Sequence, residues 1–367
     1  GFAGKRMKVK IGDLTRIKTG KLDANASSEE GKYPFFTCSR ETLKIDNYSY
    51  DCECVLIAGN GDLNVKYYKG KFDAYQRTYI IEDNSSGKLY MPYLYYFMEA
   101  YVEELRKQAI GGVIKYIKMG NLTDAMIELP SIEEQKKIVN TLENIRKILN
   151  LRNEEILKLD NLIKARFVEM FGDPIQNPKG YLKETINKHI DLLSGYPFKS
   201  EQYVDEGINI CGGLIIMPQK IKWDECVHWS TVDGFEDYLL EENDIVMALD
   251  RPWISEGFKI AKVDAEHLPA LLIQRTARIR AVDMNQDYLY HCFINGCFDK
   301  HSNVTGSLVP HISAKDIRSF EVMIPPIELQ ERFATFVEEV DKSKIVVQKA
   351  LDEAQLLFDS LMQEYFG

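Results

Sequence analysis

The sequence predicts an α+β protein in which two duplicated α/β domains alternate with two long helices. Two observations predict this class: an internal repeat at a shift of 195 residues, and two stretches of about 40 residues whose apolar side chains recur every seven positions. The expected domains comprise residues 1–130 and 172–325, and the expected helices comprise 131–171 and 326–367. A chain of 367 residues is long enough for this arrangement.

Identical residues at corresponding positions define the repeat. At the shift of 195 the matches are Tyr93-Leu94-Tyr95 with Tyr288-Leu289-Tyr290, Gly111 with Gly306, Ile117 with Ile312, Pro130 with Pro325, Gln135 with Gln330, and Phe171-Gly172 with Phe366-Gly367. Nearer the start of each copy the matches are Gly20 with Gly195 and Gln76-Arg77-Thr78 with Gln274-Arg275-Thr276, so the second copy has about 23 extra residues. A repeat of this length indicates a duplicated domain rather than a solenoid unit.

Each copy begins with a mixed α/β region. Apolar runs at 54–58 and 244–248, and shorter runs directly after the two Gln-Arg-Thr triplets, predict buried strands. The helical stretches predicted next are 91–108 and 286–299.

Each copy ends in a long helix. Ser131, followed by Glu134 three residues later, forms a capping-box pattern that places the start of the first helix. Polar residues interrupt the two apolar seams at positions that do not match, Arg152 and Lys344, and such interruptions can fix the register of paired helices. The predicted seam residues are Ile138, Leu142, Ile145, Leu149, Ile156, Leu159 and Ile163 in the first helix, and Phe333, Val337, Val340, Val347, Leu351, Ala354 and Phe358 in the second.

A helix of this kind is about 60 Å long at 1.5 Å per residue, and its single apolar seam needs a partner. The helix of the other copy is the expected partner. We expect an antiparallel coiled coil with pseudo-two-fold symmetry, because a parallel pair would require the second domain to span the whole helix length. Such a rigid spacer suits a ligand with two sites at a fixed separation.

The net charge of −10 excludes a basic coat over the whole chain. The charge is unevenly distributed: residues 1–171 carry 27 Lys and Arg against 24 Asp and Glu, whereas residues 172–367 carry 19 against 32. A local basic face therefore remains possible, above all on the first half. In the second domain, the acidic run at 233–244 is expected to point away from any nucleic acid.

The expected compartment is the cytoplasm. Seven cysteines are too few and too scattered for a disulfide scaffold and fit reduced thiols. No apolar run is long enough to cross a membrane, and the first residues do not have the pattern of a signal peptide.

Two segments resemble a conserved motif of type I restriction–modification specificity subunits: LPSIEEQKKIVNTLENI at 129–145 and IPPIELQERFATFVEEV at 324–340. The domain openings at 9–21 and 185–198 are also similar to that family. The resemblance implies two target recognition domains, each reading one half of a bipartite double-stranded DNA sequence, with the helices setting the gap between them. It further implies that the chain is not an enzyme but docks two adenine-methylating subunits, and that motor-nuclease subunits join them in the complete complex.

Base reading needs polar side chains in loops, with cations on the phosphates. The candidate DNA-binding residues are Asn60, Asn64, Lys66, Tyr67, Lys69, Lys71, Arg77, Lys115 and Lys118 in the first domain, and Arg251, Trp253, Lys259, Arg275, Ser307 and His311 in the second. Other interpretations remain open. The Lys-Tyr run at 66–71 is also typical of a solvated strand edge. The repeated Arg77 and Arg275 fit either a structural ion pair or a phosphate contact, and His311 fits a structural role or base reading.

Motifs for chemistry are missing. The segment Asn177-Pro178-Lys179-Gly180 lacks the second proline and the aromatic residue of the loop that grips adenine in methyltransferases. No ATP-binding P-loop is present, and Cys52-Glu53-Cys54 has the wrong spacing for zinc. We therefore expect no catalytic residues, no cofactor and no metal. Two alternatives remain: an enzyme with a degenerate motif, and a coiled-coil scaffold that binds only protein.

Overall fold

The computed structural model describes residues 7–302 and 311–367, and the chain divides into two compact units. The first unit consists of Gly1–Glu154 and Val347–Gly367, and the second is Glu155–Val346. Each unit therefore contains one α/β domain and a segment from each of the two long helices. The predicted fold class, with two duplicated domains and two long helices, is confirmed.

The first domain is built on a six-stranded sheet with the order β2-β7-β5-β6-β3-β4. Strands β1 and β8 form a separate antiparallel pair. Helix α2 packs on the sheet, and its buried face joins the largest apolar cluster of this unit. The elements are β1 Lys8–Lys10, α1 Ile11–Leu14, β2 Thr15–Thr19, β3 Tyr33–Phe36, β4 Leu43–Ile45, β5 Tyr50–Ala58, β6 Val65–Ala74, β7 Thr78–Asp83, α2 Met91–Gln108, α3 Met119–Thr123 and β8 Met126–Glu128, followed by the long helix α4 Ile132–Phe171.

The second domain repeats this scheme with a divided sheet. Its two main sheets have the orders β10-β20-β15-β18 and β14-β11-β19, and β9 pairs with β21 as β1 pairs with β8. The elements are β9 Leu182–Thr185, β10 Ile190–Ser194, β11 Ile208–Cys211, β12 Ile216–Met217, β13 Lys220–Ile221, β14 Val227–Trp229, β15 Ile245–Ala248, β16 Trp253–Ile254, β17 Gly257–Phe258, β18 Ile260–Lys262, β19 Ala270–Leu272, β20 Thr276–Ala281, α5 Gln286–Asn295, α6 Phe298–His301, α7 Ala314–Arg318 and β21 Glu321–Ile324, followed by α8 Ile327–Phe366.

The extra residues of the second copy lie between the strands that both copies share. Most of them lie between Cys211 and Ile245, where β12, β13 and β14 occur, and others form the hairpin of β16 and β17. The predicted helix at 286–299 is shorter than expected. Helix α5 ends at Asn295 because Gly296 and the left-handed Cys297 (φ +61°) interrupt it, and the short α6 follows.

The repeated Tyr93 and Tyr288 have the same role in both copies. Each ring is buried, and its hydroxyl donates to the strand that precedes the long helix, at Glu128 O (3.0 Å) and Met323 O (2.9 Å). The end of a long helix packs against each ring: Phe366 lies 5.2 Å from Tyr93, and Phe171 lies 4.7 Å from Tyr288. The repeated Phe-Gly ends of the helices are thus explained by packing.

The repeated glutamines join each domain to its helix. Gln135 and Gln330 are both buried beside the first turn of α4 and α8. The side chain of Gln135 accepts a hydrogen bond from Tyr90 N (2.8 Å) and donates to Lys88 O and Pro130 O. Gln330 likewise accepts from Asn285 N (2.9 Å) and donates to Pro325 O (2.8 Å). The repeated glutamine therefore has a structural function at this joint.

The two long helices pair within each unit. Ser131 Oγ accepts a hydrogen bond from Glu134 N at the start of α4. In the second unit, Phe167 contacts Phe333 at 5.6 Å and Asp160 binds Lys344, so the two segments run antiparallel. All of the predicted seam residues are buried or half-buried. Asp160 Oδ1 lies 2.7 Å from Lys344 Nζ and compensates the polar interruption in the second seam.

A buried histidine makes the second unit sensitive to acid. His291 is 4% exposed and lies edge-on to Phe333 at 5.2 Å. Burial, with smaller contributions from the charges of Lys262 and Lys344, lowers the pKa of His291 to about 3. An unfolded histidine binds a proton below about pH 6.5, whereas His291 in the folded chain does not. The free energy of unfolding is therefore highest above that pH and decreases as the pH falls toward 3.

We expect this histidine to cost about 2 kcal/mol of stability between pH 7.5 and pH 5. Urea unfolding of the full chain and of a His291→Phe variant at both pH values measures the effect. The variant should lose about 2 kcal/mol less than the wild type on acidification. Equal losses in the two proteins would contradict this role for His291.

Candidate nucleic-acid interface

A groove occurs at equivalent places in the two domains, beside the Gln-Arg-Thr triplets. In the first domain, Gln76 and Arg77 line a groove of about 520 Å³ together with Lys21 and Gly59. In the second domain, the corresponding groove of about 700 Å³ is lined by Gln274, Arg275 and residues of the 212–215 loop, among others. The threonine of each triplet is instead buried and bonds to backbone.

The same backbone hydrogen bonds build both grooves. Gly59 N donates to Arg77 O (2.8 Å), and Leu249 N donates to Arg275 O (3.0 Å). A bridge joins Asn60 to Tyr116 in the first domain, and the equivalent bridge joins Asp250 to His311 in the second. The frame is therefore shared, whereas the side chains at these two positions differ.

The repeated glycines permit a close backbone crossing beneath each groove. A Cβ atom at Gly20 would lie 2.2 Å from Ala74 O, and one at Gly195 would lie 2.0 Å from Ile273 O. No side chain fits at those distances. This contact explains why glycine recurs at both positions.

The two repeated arginines differ in their surroundings. Arg275 has a left-handed backbone (φ +62°) and lies 3.3 Å from the Asp250 carboxylate, although most of its side chain is exposed. Arg77 is exposed, and within residues 7–302 and 311–367 no carboxylate lies within 4 Å of its guanidinium. Arg77 thus fits a phosphate contact, and Arg275 has a structural partner as well.

Asn64 and Lys259 occupy equivalent positions, and both point inward. Asn64 Nδ2 donates to Cys38 O (2.9 Å), and Lys259 Nζ donates to the equivalent Gly213 O. Burial lowers the pKa of Lys259. Lys259 is buried at the wall of the second groove and Asn64 is half-buried, and each side chain binds a loop of its own domain.

The Lys-Tyr run lies on β6, where the side chains bind other residues of the same domain. Lys66 Nζ donates to Ser39 O and Asn64 Oδ1, and burial lowers its pKa. Tyr67 donates to Glu53, and Lys69 lies 3.3 Å from the same carboxylate. Lys71 stacks over the Tyr48 ring at 4.7 Å. The run has the features of a solvated strand edge, and Lys69 and Lys71 keep exposed ammonium groups.

The remaining candidates of the first domain lie on two loops that meet at the groove. Asn60 begins the loop whose Asp62 is paired with Arg40 and Arg106. Lys115 lies on the neighbouring 110–116 loop and Lys118 directly after it, and both are exposed.

In the second domain the candidates are dispersed around the groove. Arg251 is exposed at its rim with a left-handed backbone (φ +46°), and His311 Nδ1 lies 2.6 Å from Asp250. Trp253 stacks on Phe258 at 4.7 Å and is half-buried. Ser307 lies outside the described residues.

Several groove residues were not predicted from the sequence. Lys21 and the two triplet glutamines line the grooves, and Leu214 is 90% exposed at the rim of the second. The repeated triplets and the repeated Gly20 contained the signal for these positions. One acid of the 233–244 run, Asp244, is buried and paired with Arg280 inside the domain.

Comparison with known proteins identifies the family. The family described as the type I restriction modification DNA specificity domain matches residues 5–161 and again 195–354. The chain belongs to this family.

Relatives of this specificity-domain chain are named as specificity subunits of type I restriction enzymes. It is 40% identical over 137 residues to the type I restriction enzyme EcoDI specificity subunit of Escherichia coli, covering 37% of this chain and 30% of that protein. It is 31% identical to the E. coli EcoAI specificity subunit, over 51% of this chain and 33% of that protein. The chain thus spans about a third of the length of these two relatives. The MjaVIII specificity subunit of Methanocaldococcus jannaschii is 23% identical, over 91% of this chain and 85% of that protein.

Solved structures share the fold of this specificity-domain chain. The S subunit of a type I restriction–modification system from M. genitalium matches with a TM-score of 0.62 at 17% identity, covering 98% of this chain and 96% of that chain. A chain from a type I R-M system matches with a TM-score of 0.52 at 15% identity, covering 98% and 97%.

The described part of the chain contains neither a metal-binding cluster nor a membrane-spanning helix. No cluster of three or more metal-ligating side chains occurs among residues 7–302 and 311–367. No helix in those ranges is long and apolar enough to span a membrane.

Proposed function

We propose that this chain is the non-catalytic DNA-recognition subunit of a type I restriction–modification complex in the cytoplasm. Each of its two domains reads one half of a bipartite double-stranded DNA target. The chain binds two methyltransferase subunits and directs adenine methylation to that target. With motor-nuclease subunits in the complete complex, it also directs DNA cleavage.

The observation that carries this proposal is the pair of equivalent grooves. Their backbone hydrogen bonds are the same, and each presents the Gln and Arg of a repeated triplet. Facing positions differ in hydrogen-bonding chemistry: Asn60 and Tyr116 in one domain, Asp250 and His311 in the other. Reading two different half-sites with one fold requires a shared frame and unequal side chains of this kind.

The distribution of charge supports a complex in which more than one kind of subunit contacts the DNA phosphates. The second half of the chain is acidic, and several exposed cations of the first domain are paired with carboxylates. We propose that the methyltransferase subunits supply many of the phosphate contacts. Binding of the assembled complex then has a steeper salt dependence than the cations of this chain alone would give.

Arg77 is the groove cation whose removal tests the proposal most simply. In Arg77→Ala, the complex with the methyltransferase subunits should bind a target duplex more weakly. The plot of log K against log salt should become less steep, its slope losing about one unit of magnitude, which is the contribution of one phosphate contact. The unfolding midpoint should not change, because Arg77 is exposed and has no carboxylate partner among the described residues. Salt-titrated fluorescence anisotropy with a labelled duplex measures the affinity and the slope, and thermal unfolding measures the midpoint.

Lys44→Ala is the control for charge. Lys44 is exposed on β4 of the same domain and does not line the groove. Its removal should leave affinity and slope unchanged. Equal effects of the two substitutions, or none from Arg77→Ala, would contradict the assignment of this groove.

A further inference from the structure

The loop at 110–116 presents apolar side chains to solvent at the rim of the first groove. Val113 is fully exposed and Ile114 is 63% exposed. Removing large aliphatic side chains from water is favourable. A partner that covers this exposed loop tip therefore binds more tightly.

The base of the loop is fixed to the groove. Ile110 and Tyr116 exchange two backbone hydrogen bonds of 3.0 and 2.9 Å, and Lys115 O accepts from Gly61 N (3.0 Å). Ile117, the next residue after the loop, lines the groove beside Arg77. Gly111 (φ +121°) lets the chain turn tightly, since a Cβ there would lie 2.7 Å from Ile114 O. The tip is therefore held in place next to the groove.

The charges around the tip indicate what covers it. The segment 110–118 contains two lysines and no acid, and both Lys115 and Lys118 are exposed. Arg77 and Lys21 add positive charge in the groove. An apolar tip among cations matches duplex DNA, whose phosphates are anionic and whose major groove presents the apolar methyl group of thymine beside the polar base edges.

We propose that Val113 and Ile114 contact base edges of the first half-site, while Lys115 and Lys118 lie against the flanking phosphates. This inference rests on the proposed function of the domain as a DNA reader. The tip contributes affinity without neutralising phosphate charge. Its loss therefore weakens binding without releasing fewer counterions, which separates it from the effect of a lysine.

The test uses the full chain assembled with its methyltransferase subunits and a duplex that carries the target motif, which a map of adenine methylation in the source cell identifies. A double variant, Val113→Ser with Ile114→Ser, should bind at least about tenfold more weakly with an unchanged salt slope. Lys115→Ala should instead lower the slope by about one. Val282→Ser is the matched control, since Val282 is 68% exposed in the second unit, and it should leave affinity unchanged.

The outcomes are distinguishable. A wild-type complex that binds target and scrambled duplexes equally contradicts the proposed function itself. If the wild type prefers the target and the double variant binds it equally well, only the role of the tip is overturned. The role of the tip is also overturned if the double variant fails to assemble with the methyltransferase subunits, since the tip would then be a protein-docking site. The unfolding midpoint of the double variant, expected to be unchanged, excludes a folding defect.

Discussion

Gly195→Ala is expected to destabilise the second domain severely. The new Cβ would lie 2.0 Å from Ile273 O and 2.3 Å from Ile273 C, so two backbone segments must separate. Overpacking against backbone costs about 3 kcal/mol or more. For a domain of this size the thermal unfolding midpoint should fall by roughly 6 °C or more. Gly20→Ala, with its Cβ 2.2 Å from Ala74 O, should have the same effect on the first domain.

Gly112→Ala is the matched control. No atom lies within 4 Å of a Cβ built there, so this variant should unfold at the wild-type temperature. Differential scanning calorimetry of the three variants and the wild type measures the shifts. If Gly195→Ala and Gly112→Ala unfold at the same temperature, this result would contradict the close approach of the two backbone segments beneath the second groove.

Gln135→Met is the second substitution with a large expected effect. Methionine keeps a similar volume but leaves Tyr90 N, Lys88 O and Pro130 O without their partner. Unsatisfied buried backbone groups cost about 1–3 kcal/mol each, and partial relaxation brings the expected loss to about 3 kcal/mol. Urea unfolding of the full chain measures this free energy.

The control for this prediction is Gln355→Met. Gln355 is exposed on α8, and among residues 7–302 and 311–367 its side chain bonds only to Asp359 one turn later, so its loss should change stability by less than about 0.5 kcal/mol. Gln330→Met should resemble Gln135→Met, because it removes the bonds to Asn285 N and Pro325 O. A Gln135→Met protein as stable as the control would show that this joint does not depend on the glutamine.

The architecture could be predicted because it depends on repetition and periodicity. Heptad spacing identifies α4 and α8 regardless of what packs on them, and the 195-residue shift identifies the duplicated domain. The end of α5 was missed because it depends on one left-handed residue, Cys297, and not on a pattern. The partner of Lys344 was also missed, since Asp160 becomes its neighbour only once the helices pair.

The candidate site was harder to predict because the type of a residue does not determine whether its side chain points into the domain or toward solvent. Lys66, Asn64 and Lys259 have the chemistry of DNA contacts, yet they brace loops inside the domain. Their inward direction follows from tertiary packing, which spacing along the chain does not encode. By contrast, the repeated Gln-Arg-Thr triplets did mark the grooves, because both copies share that frame.

We propose above all that this chain selects the DNA sequence in which adenine is methylated. The most direct measurement is the genome-wide map of adenine methylation in the source cell, with and without the gene for this chain. We predict that a two-part motif with a fixed unspecified gap loses its methylation when the gene is deleted and regains it when the gene is restored. A map that contains such a motif and keeps it fully methylated after deletion would contradict the claim.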